Sequence, residues 1–228
     1  MGKTILITGN SGKTVFAYQL AALLSGQQKV VLLSADGIKP ASQMLFPLVK
    51  RPILQSVGKL LSMPVMTRMD VMDHLYVPEG CKNLGLLSYA PGESAASYPH
   101  PTEGAASELH TILQSVCDVL VVDTQTVFSD VDRYFLSRAD AELCITTADF
   151  RGLAWRTAYK REQAVHVLYL DNPYNPAEDI ARTFPSPVKF HLPYCKEFRP
   201  LYNGVNITDL SVPAKYRKVL QAVKEVLA

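Results

Sequence analysis

The sequence predicts an α/β fold: a mainly parallel sheet of about seven strands with helices on both faces. Nearly continuous apolar runs alternate along the chain with segments of helical periodicity, the pattern of a parallel sheet buried on both sides. The chain has 228 residues, 48% hydrophobic and 19% charged, a composition typical of a globular protein with a sizeable core. We therefore expect one domain that covers residues 1–228.

The first predicted elements are a strand and a helix joined by a glycine turn. The strand is the apolar and β-branched run from Thr4 to Thr8. Beyond the turn, Phe16, Leu20 and Leu24 recur at helical spacing. The turn itself ends in Gly-Lys-Thr.

A Gly-Lys-Thr turn in front of a helix is suited to polyphosphate. Backbone N–H groups converge on the anion, the lysine can reach the terminal phosphates, and the threonine hydroxyl can ligate Mg²⁺. We therefore predict ATP or ADP with Mg²⁺ as cofactors, and Thr14 as a metal ligand. The candidate nucleotide-binding residues here are Gly9, Asn10, Ser11, Gly12, Lys13, Thr14 and Val15.

This turn is shorter than the usual Gly-x-x-x-x-Gly-Lys-Ser/Thr loop. Its first glycine, Gly9, stands two residues later than that pattern requires. The alternative interpretation is a tight strand-to-helix turn at Gly9 and Gly12, with Lys13 as a solvated lysine at the helix start.

Later strands follow the same alternation. A strand from Lys29 to Asp36 precedes a looser, proline-containing region that extends from about Gly37 to Gly104. A helix is predicted from Ala105 to Val116. The remaining predicted strands are Leu84–Ser88, Cys117–Thr124, Glu142–Thr146, Ala164–Leu170 and Val188–His191.

Two of these strands end in an acidic residue, Asp36 and Asp123. In open α/β sheets, ligands bind outside the carboxyl ends of the strands. Asp123 is therefore a candidate to hold the Mg²⁺ shell, and Asp36 a candidate to orient an attacking water. The alternative for each is a helix N-cap or turn aspartate.

Six segments, taken in order, form a recognisable succession. They are the Gly-Lys-Thr loop, Val30–Asp36, Asp118–Asp123, Leu170–Asn172, Leu192–Tyr194 and the helix containing Tyr216–Leu220. This succession resembles the MinD/ParA superfamily of deviant-Walker P-loop ATPases, and within it the pilus-assembly branch called CpaE or TadZ. The resemblance implies a homodimer that sandwiches ATP, and a bound state that controls position on a membrane, nucleoid or cell pole.

The resemblance also assigns roles to single residues. Lys13 and Asp36 would be catalytic, while Thr14 and Asp123 would serve the metal. Asn172 matches the asparagine that reads adenine. Pro193 and Tyr194 match a segment that runs beside the base.

The chain departs from the family at groups that act in catalysis. No lysine stands between Thr4 and Gly12 to match the family's signature lysine, and Ser34 replaces an aspartate. We therefore expect slow hydrolysis or none. Three functions follow: a positioning ATPase, a scaffold of the same fold without turnover, and a dethiobiotin synthetase-like ligase.

Partners are predicted from charge and surface pattern. The net charge of +2 gives no strong field. The segment from Phe150 to Arg161 is basic and aromatic, so it is either a weak DNA or partner face or a solvated helix packed on the sheet. In the expected homodimer, Phe150 and Trp155 would anchor the interface.

The C-terminal helix poses a similar choice. The apolar side that runs from Tyr216 to Leu227 either touches anionic lipid or forms the last core helix. No run is long enough to span a membrane, and the cysteines show no zinc or disulfide spacing. We expect a cytoplasmic protein, with peripheral attachment at a membrane or cell pole as the alternative.

Overall fold

The computed structural model describes residues 2–38, 40–47, 55–171, 181–184 and 186–227. Seven strands form one sheet in the order β3-β2-β4-β1-β5-β6-β7, and every neighbouring pair is parallel. The predicted α/β fold is thereby confirmed. The strands are β1 (Lys3–Gly9), β2 (Val30–Ser34), β3 (Leu84–Leu87), β4 (Val119–Asp123), β5 (Ala141–Thr147), β6 (Val165–Tyr169) and β7 (Phe190–Leu192).

Helices in the described part of the chain surround this sheet. Three short 3₁₀ segments, Ala95–Ser97, Lys196–Asn203 and Ile207–Asp209, lie in the connections. The α-helices are α1 (Lys13–Leu24), α2 (Ala41–Leu45), α3 (Val57–Leu61), α4 (Arg68–His74), α5 (Glu103–Val116), α6 (Asp130–Arg138), α7 (Phe150–Tyr159) and α8 (Ala214–Leu227). None of them is long and apolar enough to cross a bilayer.

Strand β1 lies at the centre and is buried on both faces. Ile5 and Ile7 belong to the apolar cluster that includes α1 and α8, whereas Leu6 belongs to the cluster formed with α5 and α6. Successive side chains of a strand point to opposite faces, so this alternation places helices on both sides of the sheet, as predicted.

Helix α8 is a core helix. Tyr216, Leu220, Val223 and Leu227 are buried in the same cluster as α1, and α8 contacts α1 and β7. This confirms the prediction of a last core helix, because the apolar side is covered by protein.

Strand ends differ from prediction by one or two residues. Strand β2 ends at Ser34, which pairs with Asp123 of β4, and the Ala35 N–H makes the last bond to the Asp123 carbonyl at 3.1 Å. Asp36 therefore lies in the loop beyond the strand. The register brings the carboxyl ends of β1, β2, β4 and β5 to one edge of the sheet.

Candidate functional site

The loop between β1 and α1 depends on two glycines with positive φ. Gly9 has φ 128°, and a Cβ there would lie 1.7 Å from the carbonyl oxygen of Ile145. Gly12 has φ 75°, and its Cβ would lie 2.8 Å from the Tyr169 ring. Only glycine fits both the backbone conformation and the close approach. These positions therefore set the path of the loop.

Asn10 fastens the loop to β5. Its backbone N–H donates to the Ile145 carbonyl at 3.2 Å. Its side-chain amide donates to Thr147 Oγ1 at 2.8 Å, and its Oδ1 accepts from the Thr147 N–H at 2.9 Å. The backbone N–H and the side-chain amide of Asn10, a predicted nucleotide-binding residue, therefore already donate hydrogen bonds within the protein.

The N-terminus of α1 offers donors to an anion. Gly12 is the N-cap residue and supplies no side-chain hydrogen bond, and the first turn contains no acidic residue. The first N–H groups of a helix lack intrahelical partners and carry the positive end of its dipole. Ser11, Thr14 and Val15 lie partly exposed around this terminus, and Lys13 is buried.

The partly exposed Thr14 and the buried Asp123 form a polar pair at the site. The Thr14 hydroxyl donates to Asp123 Oδ2 at 2.7 Å, and the Ser34 hydroxyl lies 3.4 Å from the same oxygen. Asp123 Oδ1 is buried without a hydrogen-bond partner among the described residues. A hydroxyl oxygen beside a carboxylate oxygen that accepts no hydrogen bond provides oxygen ligands of the kind that suit Mg²⁺.

Charge at this position is poorly compensated. Burial raises the pKa of Asp123 to about 6, against the opposing effects of the Lys13 charge and the Thr14 hydrogen bond. The Lys13 ammonium donates to Thr126 Oγ1 at 3.3 Å. Burial also raises the pKa of Asp132, a fully buried residue of α6, against the opposing effects of hydrogen bonds from Ser129 and Gln125 and of the Lys13 charge. The buried carboxylates of Asp123 and Asp132 therefore favour the binding of a further cation at this position.

Asp36 lies beside this group on the loop after β2. It is partly exposed, its Oδ1 accepts the Ile38 N–H at 2.9 Å, and its charge acts on Asp123. The Gln125 amide donates to the Ala35 carbonyl at 3.2 Å and so joins the loops after β2 and β4. Gln125 and Asp132 were not predicted as site residues from the sequence, although both lie shortly after the predicted strand-terminal acid Asp123.

An open pocket of about 210 Å³ adjoins the loop. Ser11, Gly12 and Val15 line one side, and Tyr169 and Tyr194 line another. Tyr194, which from the sequence is expected beside a nucleotide base, is among the lining residues.

Two predicted base contacts have different outcomes. Asn172 lies outside the described residues. Pro193 precedes the pocket-lining residues Tyr194 and Cys195, and its carbonyl accepts a hydrogen bond from the Cys195 thiol at 3.4 Å. Its neighbours therefore line the pocket in the described structure.

A polar network links the loop to the far wall of this pocket. Thr147, which holds Asn10, donates through Oγ1 to Asp149 Oδ1 at 2.6 Å. Arg151 donates to Asp149 at 2.6 Å and to Asp171 at 2.7 Å, and Asp171 lines the pocket. No sequence motif signals this network, because its members come from three separate elements.

The structure buries one of the two predicted interface anchors on α7. Trp155 is buried, its ring packs against Phe128 and Tyr159, and its indole N–H donates to the Thr126 carbonyl at 2.8 Å. It cannot anchor a dimer, because its ring is already enclosed. Phe150 is 86% exposed and retains that predicted role.

Several solved structures match over nearly the whole chain, although no protein-family model and no curated protein matches it. A ParA family ATPase from Chlorobium tepidum aligns with a TM-score of 0.77 at 14% identity, covering 100% of this chain and 99% of that one. MinD from Pyrococcus horikoshii, solved with Mg-ADP, gives 0.75 at 14% identity, with 100% and 96% covered.

The MinC:MinD complex from Aquifex aeolicus gives a TM-score of 0.73 at 16% identity, with 99% of this chain and 96% of that one covered. Likeness at this identity concerns architecture. The chain therefore has the fold of the ParA and MinD ATPases.

Proposed function

We propose that this chain is a nucleotide-binding protein of the MinD/ParA type that takes ATP or ADP with Mg²⁺. One observation carries the proposal: the Thr14–Asp123 pair lies beside the uncapped start of α1 and Lys13, and Asp123 Oδ1 is buried with no hydrogen-bond partner among the described residues. The MinD structure of the same fold was solved with Mg-ADP, which supports the ligand class.

The residues present fit this ligand. The α1 N-terminus and Lys13 would hold the phosphates, Thr14 and Asp123 would serve the metal, and the pocket beside Tyr169 would receive the base. Bound Mg²⁺ would supply positive charge for the phosphate oxygens. Asp36, partly exposed on the next loop, would orient a water, and Lys13 would stabilise negative charge on the phosphates.

We propose slow turnover for this site. The described loop contains no lysine before Lys13, and its Asn10 donors are engaged by β5. Charge that develops on the phosphate oxygens is therefore met by fewer preorganised groups. The alternative within the same fold is a scaffold that binds nucleotide without hydrolysing it.

We extend the proposal to a role in spatial positioning or assembly, exerted by a homodimer in the cytoplasm, with peripheral attachment at a membrane or cell pole. Localisation of a pilus-assembly machine is one such role. A MinD of this fold was solved in complex with MinC, which supports a protein partner. The exposed Phe150 and Val127 provide apolar surface near the site for such contacts.

Calorimetric titration with ATP and with ADP, each with Mg²⁺, tests the binding proposal. The wild type should bind, Lys13→Ala should lose binding, and Thr14→Val should lose the Mg²⁺-dependent part. Lys218→Ala, at an exposed position of α8, is the matched control and should bind as the wild type does. A wild type that shows no binding at millimolar nucleotide would refute the proposal and leave the turn as a structural connection only.

A further inference from the structure

Arg156 is a buried cation, and two of its guanidinium nitrogens have no hydrogen-bond partner within the described ranges. The residue is 2% exposed, its Nη2 donates to the Ser186 carbonyl at 2.8 Å, and its guanidinium lies 4.3 Å from the Phe184 ring centre. Its Nε and Nη1 are shielded from solvent without a hydrogen-bond partner among the described residues. A buried charge is expensive to maintain unless it is paired with an opposite charge or hydrogen-bonded throughout.

His166 lies beside Arg156 and is also unsatisfied. It is buried in β6, and neither ring nitrogen makes a hydrogen bond of normal geometry to a described residue. Burial and the Arg156 charge lower the pKa of His166 to about 4, against the opposing effects of the Arg161 backbone and the Glu142 charge, so the ring is neutral near pH 7. A neutral imidazole provides one N–H donor and leaves the Arg156 charge uncompensated.

Both residues line one open pocket of about 170 Å³. Lys160 and Arg161 bring two more cations to its wall, which also includes Thr157, whose hydroxyl donates to the Leu153 carbonyl at 2.9 Å. Arg161 is already paired with Glu142 through contacts of 2.6 to 3.0 Å. The exposed Glu162 also lines the pocket. The charges at the pocket are therefore net positive, with three cations against two acids: Arg156, Lys160 and Arg161 against Glu142 and Glu162.

The backbone at Lys160 is an independent sign that this lining is specialised. Lys160 ends α7 with φ 36°, and no other described residue except glycine has a positive φ. Helices commonly end with glycine in this left-handed conformation, because the backbone of any residue with a side chain is strained there. Glycine at position 160 would relieve the backbone strain, yet the sequence has a lysine there, which places a cation at the pocket.

We propose that this pocket is a binding site for a small oxyanion, either inorganic phosphate or the phosphate group of a monoester. A tetrahedral oxyanion accepts hydrogen bonds from several directions, which matches the donors that Arg156, His166 and Lys160 bring to the pocket. Binding would require the Arg156 side chain to turn, because its Nε and Nη1 are shielded from solvent. His166 lies in the first half of β6, whereas the nucleotide loop lies at the carboxyl ends of the strands, so the two sites are separate.

Denaturant unfolding with increasing phosphate, against chloride at matched ionic strength, tests the proposal. A ligand that binds the folded state raises its stability in a saturable way. We expect this in the wild type and in Lys13→Ala, which weakens any phosphate binding at the nucleotide loop. Arg156→Met should lose the phosphate response and be at least as stable as the wild type in phosphate-free buffer, because it removes an unpaired buried charge.

Arg133→Met is the matched control, since Arg133 is exposed on α6 and should leave the response intact. Arg156→Lys keeps the charge without the planar fork and should weaken phosphate binding at least about tenfold, which tests the site if Arg156→Met misfolds. A wild type with no saturable response, or an Arg156→Met variant that keeps it, would overturn the proposal.

Competition identifies the source of the phosphate. Equilibrium dialysis should show one phosphate per chain bound through Arg156, and displacement by O-phosphoserine would extend the ligand to monoesters. Displacement by a DNA duplex without displacement by O-phosphoserine would overturn the small-anion assignment in favour of a nucleic-acid surface.

Discussion

Replacing Asp123 by asparagine should stabilise the protein in the absence of nucleotide. The carboxylate is fully buried, and burial raises its pKa from the ordinary 3.8 to about 6. The folded state therefore binds more protons than the unfolded state between these values, and the free energy of unfolding falls as pH rises through that window. At about 1.4 kcal/mol per tenfold change in proton affinity, the cost above the window is roughly 3 kcal/mol.

Asparagine keeps the shape and the polar contact with Thr14 but carries no charge. We expect Asp123→Asn to raise the free energy of unfolding by about 1 to 3 kcal/mol near pH 7.5, and to show little difference near pH 4. The same variant should lose Mg²⁺-dependent nucleotide binding, since the metal would interact with the ionised carboxylate. Stability and ligand binding would thus change in opposite directions.

Urea unfolding at both pH values measures the effect, analysed by linear extrapolation. Asp130→Asn is the control, because Asp130 is exposed and forms only a surface pair with Arg133. If Asp123→Asn destabilised the apo protein near pH 7.5, the carboxylate would be structural and the argument for an uncompensated charge would be refuted.

Three further predictions concern the loop, turnover and assembly. Gly9→Ala should lower the free energy of unfolding by about 3 kcal/mol or more, because its Cβ meets the Ile145 carbonyl, whereas Gly92→Ala, with positive φ but open space, should cost about 1 to 2 kcal/mol in urea unfolding. Steady-state hydrolysis of ATP should stay below about 1 s⁻¹, and a faster rate in a phosphate-release assay would show that the chain supplies the missing charge elsewhere. Light scattering should show a homodimer with and without ATP, and Phe150→Ser should weaken this dimer. A monomer in both conditions would contradict dimerisation, and a dimer only with ATP would restore an ATP-controlled switch.

The sheet was predictable because its strands carry a strong local signal. Val30–Ser34 and Val119–Asp123 are almost wholly apolar, as strands buried on both faces must be. The pairing of Thr14 with Asp123 was also accessible, since the start of the helix after β1 and the end of the neighbouring parallel strand β4 meet at one edge of the sheet.

Contacts between distant segments were not predictable in the same way. Asn10 and Thr147 are 137 positions apart, and nothing in either local sequence specifies their hydrogen bonds. Trp155 and Arg156 are neighbours on an amphipathic helix, yet both are buried because Phe128 and Phe184 cover them from other elements. Burial of such residues is decided by tertiary packing, which periodicity does not encode.

The central place of β1 has a consequence for biosynthesis. As the nascent chain leaves the ribosome, its first strand has no neighbour to join, because Lys3 pairs with Val119 and Ile5 with Ala141. More than half of the chain must be made before β1 can hydrogen-bond to another strand, and such non-local pairing slows folding and prolongs exposure of apolar segments. A truncated product that stops before β4 would contain the complete Gly-Lys-Thr loop but lack the Asp123 and Thr147 that position it. Release of such a fragment should therefore yield an aggregation-prone chain, which pulse-labelled translation followed by centrifugation would detect.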